Sequence, residues 1–317
     1  MAARNCYVDV PGFLASNPAL PVTNLLGLNA TLAAIATAGA TTLTVTTSAG
    51  VSASQTIYIL DGPNSEIVYA SATNPAPNGT TLVIGANTAG GTGCQFQHNA
   101  GVSISSGGAA GDLGGMLLRA SAFAENYCNV GSPSDRGFFS TSRSETVQAP
   151  SSRAYIDRSY GLTLRPHWFP VSAISAVQLE SSPGVSVVSY DPSLAEFDTT
   201  GQRLVFPLLT PLSVPSPGYP TLTGWYISRS QPLWARITYT AGFPQDALPF
   251  DFTQAVELIA REYISYQQNP TGAAMLRAED VQIMQRLRGN GNKESSADGI
   301  FLMQAKALLT PYKAVFM

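Results

Sequence analysis

Charge is what this sequence has least of. Asp, Glu, Lys and Arg make up 12% of its 317 residues, against roughly 25% in ordinary soluble domains. The 17 basic and 20 acidic side chains leave a net charge of −3, with no run of Lys or Arg. Binding to phosphates is driven by clustered cations that release counterions, so specific nucleic-acid recognition is not expected. Disorder is not expected either, because it needs high charge and low hydrophobicity, and 44% of this chain is hydrophobic.

Metal and thiol chemistry are also thinly supplied. The only cysteines are Cys6, Cys94 and Cys128, with no CxxC; an odd, widely spaced set predicts neither a disulfide framework nor a zinc ribbon. Only two histidines occur. His98 and His167 have no obvious ligating partner nearby in sequence, so both are read as loop or packing residues. Asp191, Glu196 and Asp198 do not match calcium-loop spacing and read as a solvated turn. The patterns GxSxG, GxxxxGK[ST] and a strand-borne GxGxxG are all missing, which leaves a nucleophile elbow, a P-loop and a dinucleotide site unsupported. No catalytic, cofactor-binding or metal residue is therefore expected, and the chain is read as a non-enzyme. No apolar stretch approaches the ~20 residues that span a bilayer. Arg4 is not followed by the apolar core of a leader peptide, so neither a membrane nor a secretory role is expected.

What remains is patterned apolar sequence. Residues 1–30 carry Pro11, Pro18 and Pro21, and are read as an extended arm. Residues 31–106 alternate in short β-branched runs, Thr42–Thr46, Gln55–Leu60, Glu66–Ala70, Thr80–Ile84 and Val102–Ser105, punctuated by Asp61-Gly62-Pro63 and Asn78-Gly79. This predicts a small β-barrel or sandwich domain. Gly107–Gly111 is read as a flexible hinge. Asp112 is a candidate cap for a helix running to about Cys128, with Leu113, Met116, Leu117, Ala120, Phe123, Ala124 and Tyr127 recurring at helical spacing. Residues 135–245 return to strands, and a proline-rich loop is expected at 210–223. Residues 251–317 hold fourteen of the charged residues and read as helical, with helices at about 252–268, 278–288 and 298–310. The fold class expected is α+β, a sandwich- or barrel-like β core with a C-terminal helical segment and an inserted N-terminal β-domain. The main core would be residues 112–317.

The C-terminus is unusual for a free end, which is normally polar and frayed. Tyr312, Val315, Phe316 and Met317 are large and apolar, following a helix that carries Phe301, Leu302, Leu308 and Leu309. The tail either folds back on its own helices or inserts into a partner.

One run resembles a known family. Ile237–Phe243 (ITYTAGF), then Leu248–Asp251 (LPFD), then a helix with an early Ala255 is similar to the head–tail connector proteins of tailed bacteriophages. In that family a VxYxAGF strand is followed by an lPxd helix start. The helix ending at Cys128, Arg165-Pro166 and the strand at 171–177 fit the same order, so the resemblance covers residues 112–268. Tyr239, Ala241, Gly242, Phe243, Pro249, Asp251 and Ala255 carry it, in structural roles. The resemblance implies a virion protein of the neck, assembled in the host cytoplasm as a ring of about twelve copies. Its implied partners are the portal and the stopper or tail, with DNA passing through the lumen without specific binding. The implied portal-binding residues are Phe301, Leu302, Leu308, Leu309, Tyr312, Val315, Phe316 and Met317. The alternatives are another phage structural role, such as capsid decoration or a tail component, and a glycan-binding protein using Trp168, Trp225 and Trp234.

Overall fold

A computed structural model describes residues 5–130, 137–157, 161–168, 170–197, 203–206, 233–268 and 299–313. The chain divides into two compact units, one spanning Met1–Gly137 and Gln245–Lys313, the other built on Phe138–Pro244. Both are taken in turn.

The first unit contains six strands: β1 (Leu26–Thr31), β2 (Thr42–Thr44), β3 (Thr56–Leu60), β4 (Glu66–Ala70), β5 (Thr81–Asn87) and β6 (Ser103–Gly107). They form one antiparallel sheet in the order β1-β6-β3-β4-β5-β2. Its two ends meet. Ala33 N–H donates to Thr44 O and Thr46 N–H to Thr31 O, both at 2.9 Å, so the sheet closes into a barrel. Alternation supplies the filling: Leu28, Leu43, Ile57, Ile59, Leu82 and Ile104 all point inward and are buried. The expected barrel is thus present, and β1 joins it from residues read as arm.

The rest of the arm also departs from expectation. Val10–Ser16 forms a short helix, α1. Proline does not prevent it because Pro11 sits in the first turn, where its missing N–H has no intrahelical partner anyway. Asp9 Oδ1 accepts from Gly12 N–H at 2.8 Å and caps it. The predicted hinge is likewise a fixed turn: Gly108 N–H donates to Gly111 O at 2.7 Å, and Ala110 N–H to Asn24 O at 2.9 Å. A side chain on Gly108 would strike the Asn24 carbonyl, so these glycines serve close backbone approach rather than freedom.

Helix α2 (Leu113–Tyr127) starts where predicted, with Asp112 accepting from Gly115 N–H at 3.0 Å. Gly114 and Gly115 let its first turn lie directly on Tyr58 and Ser105 of the barrel. Its buried stripe packs against α3 (Phe250–Gln268) and α4 (Ile300–Leu309). Gly299 abuts Glu262 while Tyr312 meets Phe252, so α3 and α4 run antiparallel. The predicted helix at 278–288 lies outside the described residues.

The second unit is a β-sandwich. Its strands are β7 (Thr141–Ala149), β8 (Ala154–Asp157), β9 (Gly161–Leu164), β10 (Val171–Ser182), β11 (Val185–Tyr190), β12 (Glu196–Phe197), β13 (Leu204–Phe206) and β14 (Leu233–Ala241). They make two antiparallel four-stranded sheets, β11-β10-β14-β7 and β12-β13-β9-β8. Val177, Leu179, Ile237 and Tyr239 from one sheet and Leu162, Leu164, Leu204 and Phe206 from the other fill a common core. The α+β class expected from sequence is what the chain adopts. The predicted strand at 225–228 and the loop at 210–223 fall outside the described residues.

Candidate functional site

The connector-like motif is laid out along a strand, an exit and a helix start. On β14, Ile237, Tyr239 and Ala241 are buried on one face, as their alternation predicts. Tyr239 does more than pack. Its hydroxyl donates to Glu145 Oε1 at 2.8 Å and accepts from Trp168 N–H at 3.2 Å. Glu145 also accepts from His167 N–H at 2.9 Å and pairs with Arg153 at 2.5 Å. Burial, and then the Glu145 charge, hold the Tyr239 phenol well above its ordinary value. The Arg143 guanidinium lies 3.7 Å over the Trp168 ring. This network could not be read from spacing, because its members come from four separated segments. Trp168 therefore serves the fold; Trp225, the second tryptophan of the glycan reading, lies outside the described residues.

Gly242 carries the exit. Its φ of +113° and the Phe139 carbonyl, 2.5 Å from where a Cβ would stand, leave room for glycine alone. Phe243 N–H then donates to Phe138 O at 2.7 Å. Further along, the Pro249 carbonyl accepts from Phe252 and Thr253 N–H, both at 3.1 Å. Asp251 stands in the first turn of α3, where the helix dipole favours an anion. Ala255 is fully buried. Phe250, within the motif, is 75% exposed.

No family model matches this sequence, and no curated protein does. Two solved chains overlap it loosely. One is from the neck of an empty gene transfer agent particle computed with C6 symmetry, 20% identical, covering 65% of this chain and 79% of that one at a TM-score of 0.32. The other, from the virion of the native gene transfer agent, has the same identity and TM-score and covers 78% of its chain. Superposition at that level carries neither fold nor role across.

The helical end of the first unit sorts the predicted portal-binding residues. Leu309 is buried in the chain's own core, its carbonyl accepting from the Cys128 thiol at 3.6 Å. Tyr312 packs edge-on against Phe252 with ring centroids 5.6 Å apart, and Lys313 Nζ sits 3.9 Å over the Tyr127 ring. Up to Lys313, then, the tail folds back on its own helices. Phe301, Leu302 and Leu308 stay partly exposed. Val315, Phe316 and Met317 lie outside the described residues.

A second polar cluster sits in the barrel unit, where the sequence reading saw none. His98 is fully buried, with Nδ1 2.9 Å from Asp61 Oδ2 and Nε2 2.7 Å from Glu66 Oε1. The expectation that His98 has no partner is thus corrected: Asp61 and Glu66 are distant along the chain and meet it only through the β3–β4 turn. Burial pushes the imidazole down, but hydrogen bonds and charges from the two carboxylates outweigh it and raise the group to about 9. Cys94 joins them. Burial, with the Glu66 charge, pushes its thiol up to about 12. The legible signal was the Cys94-x3-His98 spacing, together with two of the four charged residues in 1–110 falling on one turn. Asp191, by contrast, caps its own turn, accepting from Ser193 N–H at 2.9 Å.

Proposed function

We propose that this chain is a structural subunit of a phage-like virion neck, a head–tail adaptor that assembles as a ring between the portal and the stopper or tail. The observation that carries the reading is the motif itself: apart from the exposed Phe250, its residues hold structural positions, from the Tyr239 hydroxyl to the glycine exit and the Pro249 helix start. A motif spent on fold identifies a scaffold, and in the resembling family that scaffold is the adaptor's. Low charge suits this role, because large interfaces avoid the cost of desolvating ions. Phe250 and the partly exposed Leu308 offer apolar contact at the Tyr312 end of the antiparallel helix pair, and Phe301 and Leu302 at its other end. In a ring each copy presents two different patches, and the portal would take the apolar end with Val315, Phe316 and Met317. DNA would pass the lumen without specific grip. The reading assigns no catalytic step and no cofactor.

The test is direct. Necks of purified particles, imaged by electron microscopy, should show the chain as a ring of about twelve copies next to the portal. A chain lacking residues 314–317 should keep its circular dichroism spectrum and lose at least tenfold in portal affinity. A polypeptide that stays monomeric and is missing from infectious particles would sink the proposal.

A further inference from the structure

The buried cluster of the barrel unit brings together three different metal-ligating groups. One oxygen of Glu66, the sulfur of Cys94 and one ring nitrogen of His98 all lie within 4.8 Å of one another, and all three residues are buried. We propose that Glu66, Cys94 and His98 bind a zinc ion.

Four features of the surroundings support this. The first is the way the histidine is held. Its Nδ1 is engaged by Asp61 Oδ2, which leaves Nε2 facing Glu66. Metal-bound imidazoles are ordinarily oriented by a carboxylate on their other nitrogen in this manner. The second is the fixing of the carboxylate. Glu66 Oε2 accepts from Gln95 N–H at 2.8 Å, so the backbone between the two other ligands sets its direction. The third is the rigidity of the segment that carries Cys94 and His98. Cys94 N–H donates to Ala40 O at 2.9 Å, and His98 exchanges hydrogen bonds with Ala36 at 2.8 and 2.9 Å. The fourth is economy of charge. Asp61 and Glu66 are half of all the charged residues in positions 1–110, and both are placed here.

The donor set selects the ion. Sulfur, imidazole nitrogen and a single carboxylate oxygen suit borderline-soft Zn2+, whereas calcium and magnesium take oxygen. Around zinc, with bonds of roughly 2.0–2.3 Å, tetrahedral donors stand about 3.3–3.8 Å apart. The Nε2 to Oε1 separation is 2.7 Å, so the carboxylate has to draw back by somewhat over half an ångström, roughly, for those bonds to form. On binding, Cys94 gives up its thiol proton and His98 the proton it shares with Glu66, both to solvent. The thiolate and carboxylate then balance the ion's two charges. Three protein ligands leave the fourth position to water. The ion would fasten the 94–98 segment to the β3–β4 turn.

Cobalt reports such a site, because a thiolate bound to Co2+ gives a near-ultraviolet charge-transfer band. The full-length chain, treated with a chelator and titrated with Co2+, should take up one ion per chain with that band, and Zn2+ should displace it. Cys94→Ser should remove the band, while Cys6→Ser and Cys128→Ser keep it. Asp61→Asn should weaken affinity by about tenfold to a hundredfold. Absence of the band in the unmodified chain at saturating Co2+, or its survival in Cys94→Ser, overturns the site. Should Cys94→Ser fail to fold, the Cys6→Ser/Cys128→Ser double variant leaves Cys94 as the sole thiol. A band there supports the site, and none overturns it.

Discussion

Tyr239 shows how one hydroxyl can matter more than the ring that bears it. The ring fills the sandwich core, while the oxygen joins Glu145 and Trp168. Tyr239→Phe keeps the packing and takes one partner from each of two half-buried groups, which costs about 1 kcal/mol; urea denaturation followed by tryptophan fluorescence should read that loss. Glu125 supplies a pH test. Burial raises its pKa above the ordinary carboxyl value, opposed by hydrogen bonds from Tyr7 and Asn5. The folded chain therefore holds this proton more tightly than the unfolded one. That contribution to stability is present below the unfolded pKa and lost as pH rises through the folded one. Glu125→Gln removes the dependence, so the stability of the variant relative to the natural chain should grow with pH across the acidic range. A flat difference between the two denaturation series would contradict the assignment. These networks were illegible beforehand because side-chain partners 94 or 118 positions apart leave no periodic mark.

Elements were legible where periodicity and capping speak locally. The strand at Gln55–Leu60, the Asp112 cap and the apolar stripe of α2 were all visible in alternation or three-and-four spacing, and the structure places them there. The errors have physical causes. Pro11 pointed to extended chain, yet a first-turn proline is compatible with a helix. Gly107–Gly111 pointed to freedom, yet here glycine admits a neighbouring backbone. β1 was missed because Leu26–Thr31 carries only half a strand's worth of alternation, and its partner β6 lies some eighty positions on, roughly, as pairing across a closed sheet demands. The sharpest test at this scale is the exit from β14. Gly242→Ala places a methyl against the Phe139 carbonyl at a positive φ. It should cost about 2 kcal/mol or more, read as a lowered thermal midpoint for the sandwich. Asp112→Ala, which strips the α2 cap, should cost about 1 kcal/mol.

For the whole molecule, the scarcity of charge has a measurable meaning. Interfaces between copies that rely on apolar contact are weakly screened by salt, so the proposed ring should persist from low to high ionic strength in analytical ultracentrifugation. Dissociation at moderate salt would point instead to ion-paired interfaces. The two units also differ in how they can meet a neighbour. Among the described residues of the sandwich, β11 and β7 end one sheet and β12 and β8 the other, and a strand edge can take up a strand from another chain. The barrel ends nowhere. With 31–33 hydrogen-bonded to 44–46, the two end strands of its sheet pair with each other. It is thus a module that can be crowded against many identical copies without knitting to them, touching only through side chains. Its amide protons should exchange with deuterium at the same pace in the lone subunit and in the proposed assembly.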